Sequence, residues 1–225
     1  MDSSESQYKG ILLQGKVTDW TRNIIEEYQQ NFPDSQILLS TWIGEDVDEI
    51  PCEIVQSISP PLPFPHKSTV NFQIVGTMAG LKKMNSEIIM KCRTDQFIHN
   101  KKIFEIYETF CGKNKIMVPE LGTTRGIPYR TSDFCQIATK KILMDFWSSI
   151  PLYDGKHYEE AATHLSKNYV LSVKKDQRPW DVVLREYFCI KQFHEDFQIE
   201  WEKLNKFDNY RNVYDDSYPK SVNPD

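Results

Sequence analysis

Residues 88–95 read Ile88-Ile89-Met90-Lys91-Cys92-Arg93-Thr94-Asp95, a short apolar run that stops abruptly at an arginine and a carboxylate. In an open α/β sheet, ligands bind in the crevice beyond the carboxyl ends of the strands. A strand that delivers Arg93 and Asp95 to that edge supplies a cation for phosphate and a hard oxygen ligand for a divalent metal, magnesium or manganese. That pair suits a nucleoside diphosphate. Strands also end in charged residues simply because they reach solvent, so the rest of the chain decides between the two readings.

Outward from this strand, apolar runs and helical patterns alternate. Strands are expected at 10–13, 36–42, 53–57, 88–91, 115–118 and 134–139. Helices are expected at 20–31, 70–83, 102–110 and 140–148, the first capped by Thr18-Asp19 and stopped by Phe32-Pro33-Asp34. Strands separated by single helices imply a mostly parallel sheet covered on both faces. After residue 150 the pattern changes, with helices expected at 159–168, 180–193 and 194–206 and a polar tail from 208. The expected organisation is an α/β core over 1–150 and a helical extension of the same domain over 151–225.

Composition narrows the class. A chain of 225 residues can bury a sizeable core, and 40% hydrophobic with 26% charged residues is ordinary for a globular protein. A net charge of -5 argues against a nucleic-acid partner. No apolar run is long enough to cross a bilayer, and the first six residues are polar and acidic, unlike a secretory signal. A cytoplasmic protein is expected. The five cysteines, Cys52, Cys92, Cys111, Cys135 and Cys189, are widely spaced and lack zinc-ligand spacing, so reduced, structural thiols are expected. The five histidines read as solvated or structural. Phe104, Tyr107 and Phe110 recur at three-residue spacing and read as core or semi-core rather than a base-stacking platform. The run Ser59-Pro60-Pro61-Leu62-Pro63-Phe64-Pro65 reads as a stiff loop flanking the site. Glu45 to Glu49 read as a solvated acidic turn, because calcium-loop glycine and ligand spacing is absent.

If the sheet is parallel, Gln14-Gly15, Ser40-Thr41-Trp42 and Arg93-Thr94-Asp95 leave their strands along one edge. A nucleotide would lie there, with Trp42 or a backbone amide against the base and Arg93 near the diphosphate. The chain has no Gly-x-Gly-x-x-Gly dinucleotide fingerprint, no phosphate-binding Gly-x-x-x-x-Gly-Lys-Ser/Thr loop and no Gly-x-Ser-x-Gly elbow.

These blocks, in order, resemble the WavE-type lipopolysaccharide-synthesis glycosyltransferases. The corresponding stretches are Leu13-Gln14-Gly15, Phe32-Pro33, Ser40-Thr41-Trp42, Asn71-Phe72-Gln73-Ile74, Ala79-Gly80-Leu81-Lys82, Met90-Lys91-Cys92-Arg93-Thr94-Asp95 and Ser132-Asp133-Phe134. No single block is specific; their order and spacing over residues 10–150 carry the resemblance. It implies a GT-A-like fold and transfer of a sugar from a nucleotide-sugar donor to a glycan acceptor. Donor contacts would then come from Gln14, Gly15, Lys16, Ser40, Thr41, Trp42, Asn71, Gln73, Arg93 and Asp95, with Asp95 as metal ligand. Three departures stand out. Phe72 replaces the family's usual arginine, Lys16 replaces a frequent proline, and Pro179-Trp180-Asp181 matches the family's late Pro-Glu-Gln-Tyr helix start only loosely.

Sugar transfer with inversion needs a base for the acceptor hydroxyl and positive charge on the departing diphosphate. Asp133, Asp181 and Glu186 are the candidate bases. Glu186 reads equally as a surface carboxylate and Asp181 as a helix N-terminal charge. Asp133 reads also as an acceptor ligand or turn cap. Two other functions compete: a non-catalytic nucleotide- or sugar-binding module, motivated by Phe72, and a sugar nucleotidyltransferase. The latter needs a glycine-rich basic loop after the first strand, for which Gly15-Lys16 is sparse.

Overall fold

The central apolar runs form strands because nearly every residue in them has a core to point into. In β1 (Lys9–Gln14), Ile11 and Leu13 face one side, while Leu12 and Gln14 face the other. The computed structural model describes residues 8–201. Along the chain follow α1 (Thr21–Asn31), β2 (Gln36–Trp42), β3 (Glu53–Ser57), α2 (Val70–Lys83), β4 (Ile88–Arg93), β5 (Gln96–Ile98), α3 (Ile103–Phe110), β6 (Ile116–Pro119), β7 (Gln136–Thr139) and α4 (Lys140–Ser148). The last third holds α5 (Ala161–Asn168), α6 (Trp180–Tyr187), β8 (Phe188–Lys191) and β9 (Ile199–Trp201), with π-helical turns at Tyr169–Lys174 and Phe193–Phe197.

Seven strands form the main sheet in the order β3-β2-β1-β4-β7-β6-β8. Every pairing is parallel except the two made by β7, which runs against β4 and β6. The expected mostly parallel α/β sheet with helices on both faces is what the chain forms. One core packs Ile11, Leu13, Leu39 and Met90 under α1 and α3. The other packs Leu12, Leu38 and Ile89 under α2 and α4. Close approach of α2 to the sheet depends on Gly80, where an added Cβ would lie 2.3 Å from Leu12 Cδ1.

Two features of this topology position the site. The order turns back at β1: β2 and β3 lie on one side of it and β4 on the other, so a crevice opens between the ends of β1 and β4. Because β7 runs backwards, the residues just before it sit at the same edge as the carboxyl ends of β1, β2 and β4. Register places Gln14 beside both Ser40 and Arg93 in one row across three strands.

Several expectations need correction. The helix expected over 180–193 ends at Tyr187, and Phe188–Lys191 becomes a strand parallel to β6. The helix expected over 194–206 is a short π turn followed by β9, which pairs antiparallel with β5; its part beyond residue 201 lies outside the described residues, as does the tail from 208. Thr18-Asp19 does not cap α1 through a side chain; Thr18 and Thr21 bond to each other there instead. Cys111 and Cys189, expected as reduced thiols, form a disulfide. Their sequence separation of 78 hides the proximity that arises when β8 pairs with β6. Cys92 and Cys135 are buried free thiols, and burial pushes Cys92 up to about 12, so it is inert. Phe110, expected in the core or at its margin, is exposed beneath the Lys191 ammonium.

A candidate active site at the strand exits

The segment after β1 must turn sharply over the end of β4. Gly15 permits this: its φ is +149°, and a Cβ there would meet Thr94 Oγ1 at 2.5 Å. Thr94 is buried, and its carbonyl accepts a hydrogen bond from Thr21 Oγ1 at 3.1 Å, which fixes the site loop to the start of α1.

A cavity of about 460 Å³ opens at this point. Gln14, Gly15, Lys16 and Trp42 form one side of it and Arg93 and Asp95 another. Phe72 supplies a ring that meets Trp42 edge-on, with centroids 5.3 Å apart. Leu62, from the proline-rich loop, lines it too, so that loop does flank the site. A second cavity of about 310 Å³ adjoins the first. Thr69, Gln73 and Arg93 line both, so they form the shared wall. The far side of the second cavity carries Arg130, Asp133, Glu160 and Trp201.

The charged groups are tightly organised. Arg93 donates from Nε and Nη2 to the two oxygens of Asp95, each at 2.7 Å. Trp201 Nε1 donates to Asp95 Oδ2 at 3.1 Å, and its ring lies 5.4 Å from the Arg93 guanidinium. Burial raises the Asp95 pKa, but the hydrogen bonds from Arg93 and Trp201 outweigh it, and the carboxyl ends below its usual range. Gln73 Nε2 donates to Asp133 Oδ2 at 2.6 Å. Glu160 pairs with Arg130 at 3.1 Å. Below Asp133, the fully buried Lys91 donates to its backbone carbonyl at 3.1 Å and lies 5.1 Å from the Trp147 ring. Burial lowers the Lys91 pKa to about 8, against the opposing pull of Asp133.

The expected donor residues divide by where they point. Gln14, Gly15, Lys16, Trp42, Gln73, Arg93 and Asp95 line the first cavity. Ser40 is fully buried and donates to the Gly76 carbonyl at 2.6 Å, tying β2 to α2. Thr41 is also fully buried, and Asn71 exchanges two hydrogen bonds with the Tyr153 backbone. These three shape the crevice from behind it. Asp181 and Glu186 are exposed on α6 and line neither cavity. Lys91, Arg130, Glu160 and Trp201 were not foreseen. Lys91 had a signal, since it lies two residues before Arg93 and so on the same face of β4.

A divalent metal held by the protein alone needs several convergent oxygen ligands. Both Asp95 oxygens are taken by the Arg93 fork, and one also accepts from Trp201. Among the described residues, no three His, Cys, Asp or Glu side chains converge on a common point. In this arrangement Asp95 is held as the partner of Arg93 and Trp201, and any metal it met would have to take most of its ligands from substrate phosphate and water.

Comparison with known proteins agrees with the architecture. A family model described as WavE lipopolysaccharide synthesis matches residues 11–214. No curated protein sequence matches the chain. Among solved structures, the 4-diphosphocytidyl-2C-methyl-D-erythritol synthase of Anaerococcus prevotii DSM 20548 is similar over 95% of this chain and 99% of its own, at 10% identity and TM-score 0.54. That likeness is one of fold. Glucosyl-3-phosphoglycerate synthase from Mycobacterium tuberculosis, solved with Mn2+, UDP-glucose and phosphoglyceric acid, covers 82% of this chain and 69% of its own, at 10% identity and TM-score 0.47. A glycosyltransferase that modifies the major capsid of PBCV-1 covers 82% of each chain, at 10% identity and TM-score 0.45.

Proposed function

Because the chain belongs to the WavE lipopolysaccharide synthesis family, we propose that it is a glycosyltransferase that moves a sugar from a nucleotide-diphosphate donor to a glycan acceptor. The observation that carries this reading is the pair of adjoining cavities that share Arg93 and Gln73 as a wall. A two-substrate transfer needs two pockets that meet where the bond is exchanged.

In this reading the nucleotide occupies the first cavity. The base lies against Trp42 and Phe72, and the diphosphate lies toward Arg93 and Lys16. Planar guanidinium suits phosphate oxygens, and its Asp95 partner keeps the fork aimed. The acceptor occupies the second cavity, with a hydroxyl beside Asp133. Asp133 takes the hydroxyl proton as the acceptor oxygen bonds to the donor's anomeric carbon. The bond from that carbon to the diphosphate breaks, and the electron pair leaves with the diphosphate, whose charge Arg93 and Lys16 offset. Asp181 and Glu186, which line neither cavity, leave the base role to Asp133.

The cationic groups at the diphosphate position support transfer that does not depend on a protein-held metal. Among the described residues no helix is long and apolar enough to cross a membrane. A cytoplasmic site of action belongs with this proposal, and the Cys111–Cys189 disulfide weighs against it, since such bonds persist in oxidising compartments. Isothermal titration with a panel of nucleoside diphosphates, paired with release of free sugar from the matching donors, tests the function. The expected result is binding of one nucleotide class and slow hydrolysis of its sugar conjugates. Binding without any turnover would make the chain a binding module, and failure of every nucleotide to bind would sink the reading.

A further inference from the structure

The second cavity does not end at the reaction point. Thr69, Glu160 and Ala161 line it and also line a third cavity of about 510 Å³. Tyr158 and Glu159 line that third cavity and also a fourth of about 470 Å³, which reaches Leu152, Asp154 and His157. The three are therefore one groove, running from Asp133 across the start of α5 to the loop that follows α4. We propose that this groove binds an oligosaccharide acceptor of several units, with its reacting end at Asp133 and the rest of the chain laid past Tyr158 toward His157. The proposal rests on the second cavity being the acceptor site.

The lining chemistry selects this class of ligand. Tyr158 is 75% exposed, and the His66 ring meets it edge-on at 6.2 Å. An amphipathic ring held in the open beside hydrogen-bonding groups matches a sugar ring, which has apolar C–H faces and a hydroxyl rim. Beyond Asp133, which accepts from the Gln73 amide, the carboxylates of the groove are each matched by a cation: Glu160 with Arg130 at 3.1 Å, Glu159 with Lys167 at 3.0 Å, and Asp154 with Lys156 at 3.2 Å. This balance suits a neutral polyhydroxylated chain. It does not suit an anionic lipid surface, which recruits a cationic excess.

The test is a glycan array that carries neutral gluco-, galacto- and manno-configured chains of one to six units. It is probed with wild type, Tyr158→Ala and Tyr158→Phe, alongside titration of the same proteins with nucleoside diphosphates. Signal should rise with chain length. Tyr158→Ala should lose about tenfold of it, the scale of an aromatic contact near 1.4 kcal/mol, and Tyr158→Phe should retain most. Nucleotide affinity should be the same in all three proteins. Equal signal for single sugars and long chains, no signal from any chain, or no loss in Tyr158→Ala overturns the proposal. Binding to phosphatidylglycerol vesicles that depends on Tyr158, in place of glycan binding, also overturns it and reassigns the groove to a membrane. Failure of wild type to bind any nucleotide counts against the glycosyltransferase reading instead, and the array then judges the groove separately.

Discussion

Arg93 and Asp95, two residues apart at the exit of β4, are locked in a two-point fork, with Nε–Oδ1 and Nη2–Oδ2 both at 2.7 Å. The fork joins the end of the strand to the roof of the site, because Trp201 donates to the same carboxylate and stacks on the same guanidinium. A carboxylate used this way acts by aiming its arginine.

Asp95→Asn should therefore weaken nucleoside-diphosphate binding by roughly tenfold, at the low end for a charge-assisted bond because the Arg93 side chain is 36% exposed. The loss should be the same with chelator and with added manganese. Arg93→Lys, which keeps the charge but not the fork, should lose at least as much. Titration of each variant in both conditions measures this. A loss confined to the manganese arm would make Asp95 a metal ligand after all. The carboxyl is held below its ordinary 3.8, so the stabilisation from the pair is complete above that pH and is lost only as the pH falls through the lowered value.

The readable part of this site is the part set by strand ends. Gln14, Trp42, Arg93 and Asp95 could be named from sequence because an apolar run that stops at polar residues marks a strand exit whatever the tertiary detail. Ser40 and Asn71 sit on the right elements yet face inward, to Gly76 and Tyr153, and sequence carries no sign of that rotation. The pairing of Gln73 with Asp133 depends on β7 running backwards, and a four-residue strand does not announce its direction.

The same limit explains the last third. Trp180, Val183, Leu184, Tyr187 and Phe188 keep helical spacing straight across the boundary between α6 and β8. Four residues of strand are too few for alternation to show against it. Trp201, on a three-residue strand, reaches Asp95 across 106 positions of sequence. No local pattern encodes such a contact.

Asp133→Asn should separate binding from chemistry. Gln73 can still donate to the remaining carbonyl oxygen, so the cavity wall and nucleotide affinity should stay intact. Loss of the proton acceptor should reduce transfer by about 10²–10⁴-fold. Single-turnover transfer measured beside nucleotide titration gives both quantities. Retention of transfer in Asp133→Asn would move the base elsewhere.

Lys91 gives the last prediction, one of stability against pH. Its ammonium is fully buried, and burial lowers its pKa from 10.5 to about 8. Between those values the unfolded chain binds a proton that the folded protein does not, so this residue's contribution makes stability rise with pH across the interval. At one unit per 1.36 kcal/mol, the charged lysine costs at most about 3 kcal/mol below pH 8. Buried thiols and phenols such as Cys92 and Tyr28 have raised pKa values and push stability the other way at alkaline pH. The clean measure is therefore the difference between wild type and Lys91→Met, in which those groups largely cancel. Relative to Lys91→Met, wild type should gain melting temperature steadily from pH 7.5 to pH 10. The methionine loses the bond to the Asp133 carbonyl, which Lys91 makes at 3.1 Å, so its transfer rate should fall even where it melts higher. A flat difference across that range would mean that Lys91 keeps its proton in the folded protein at its ordinary pKa.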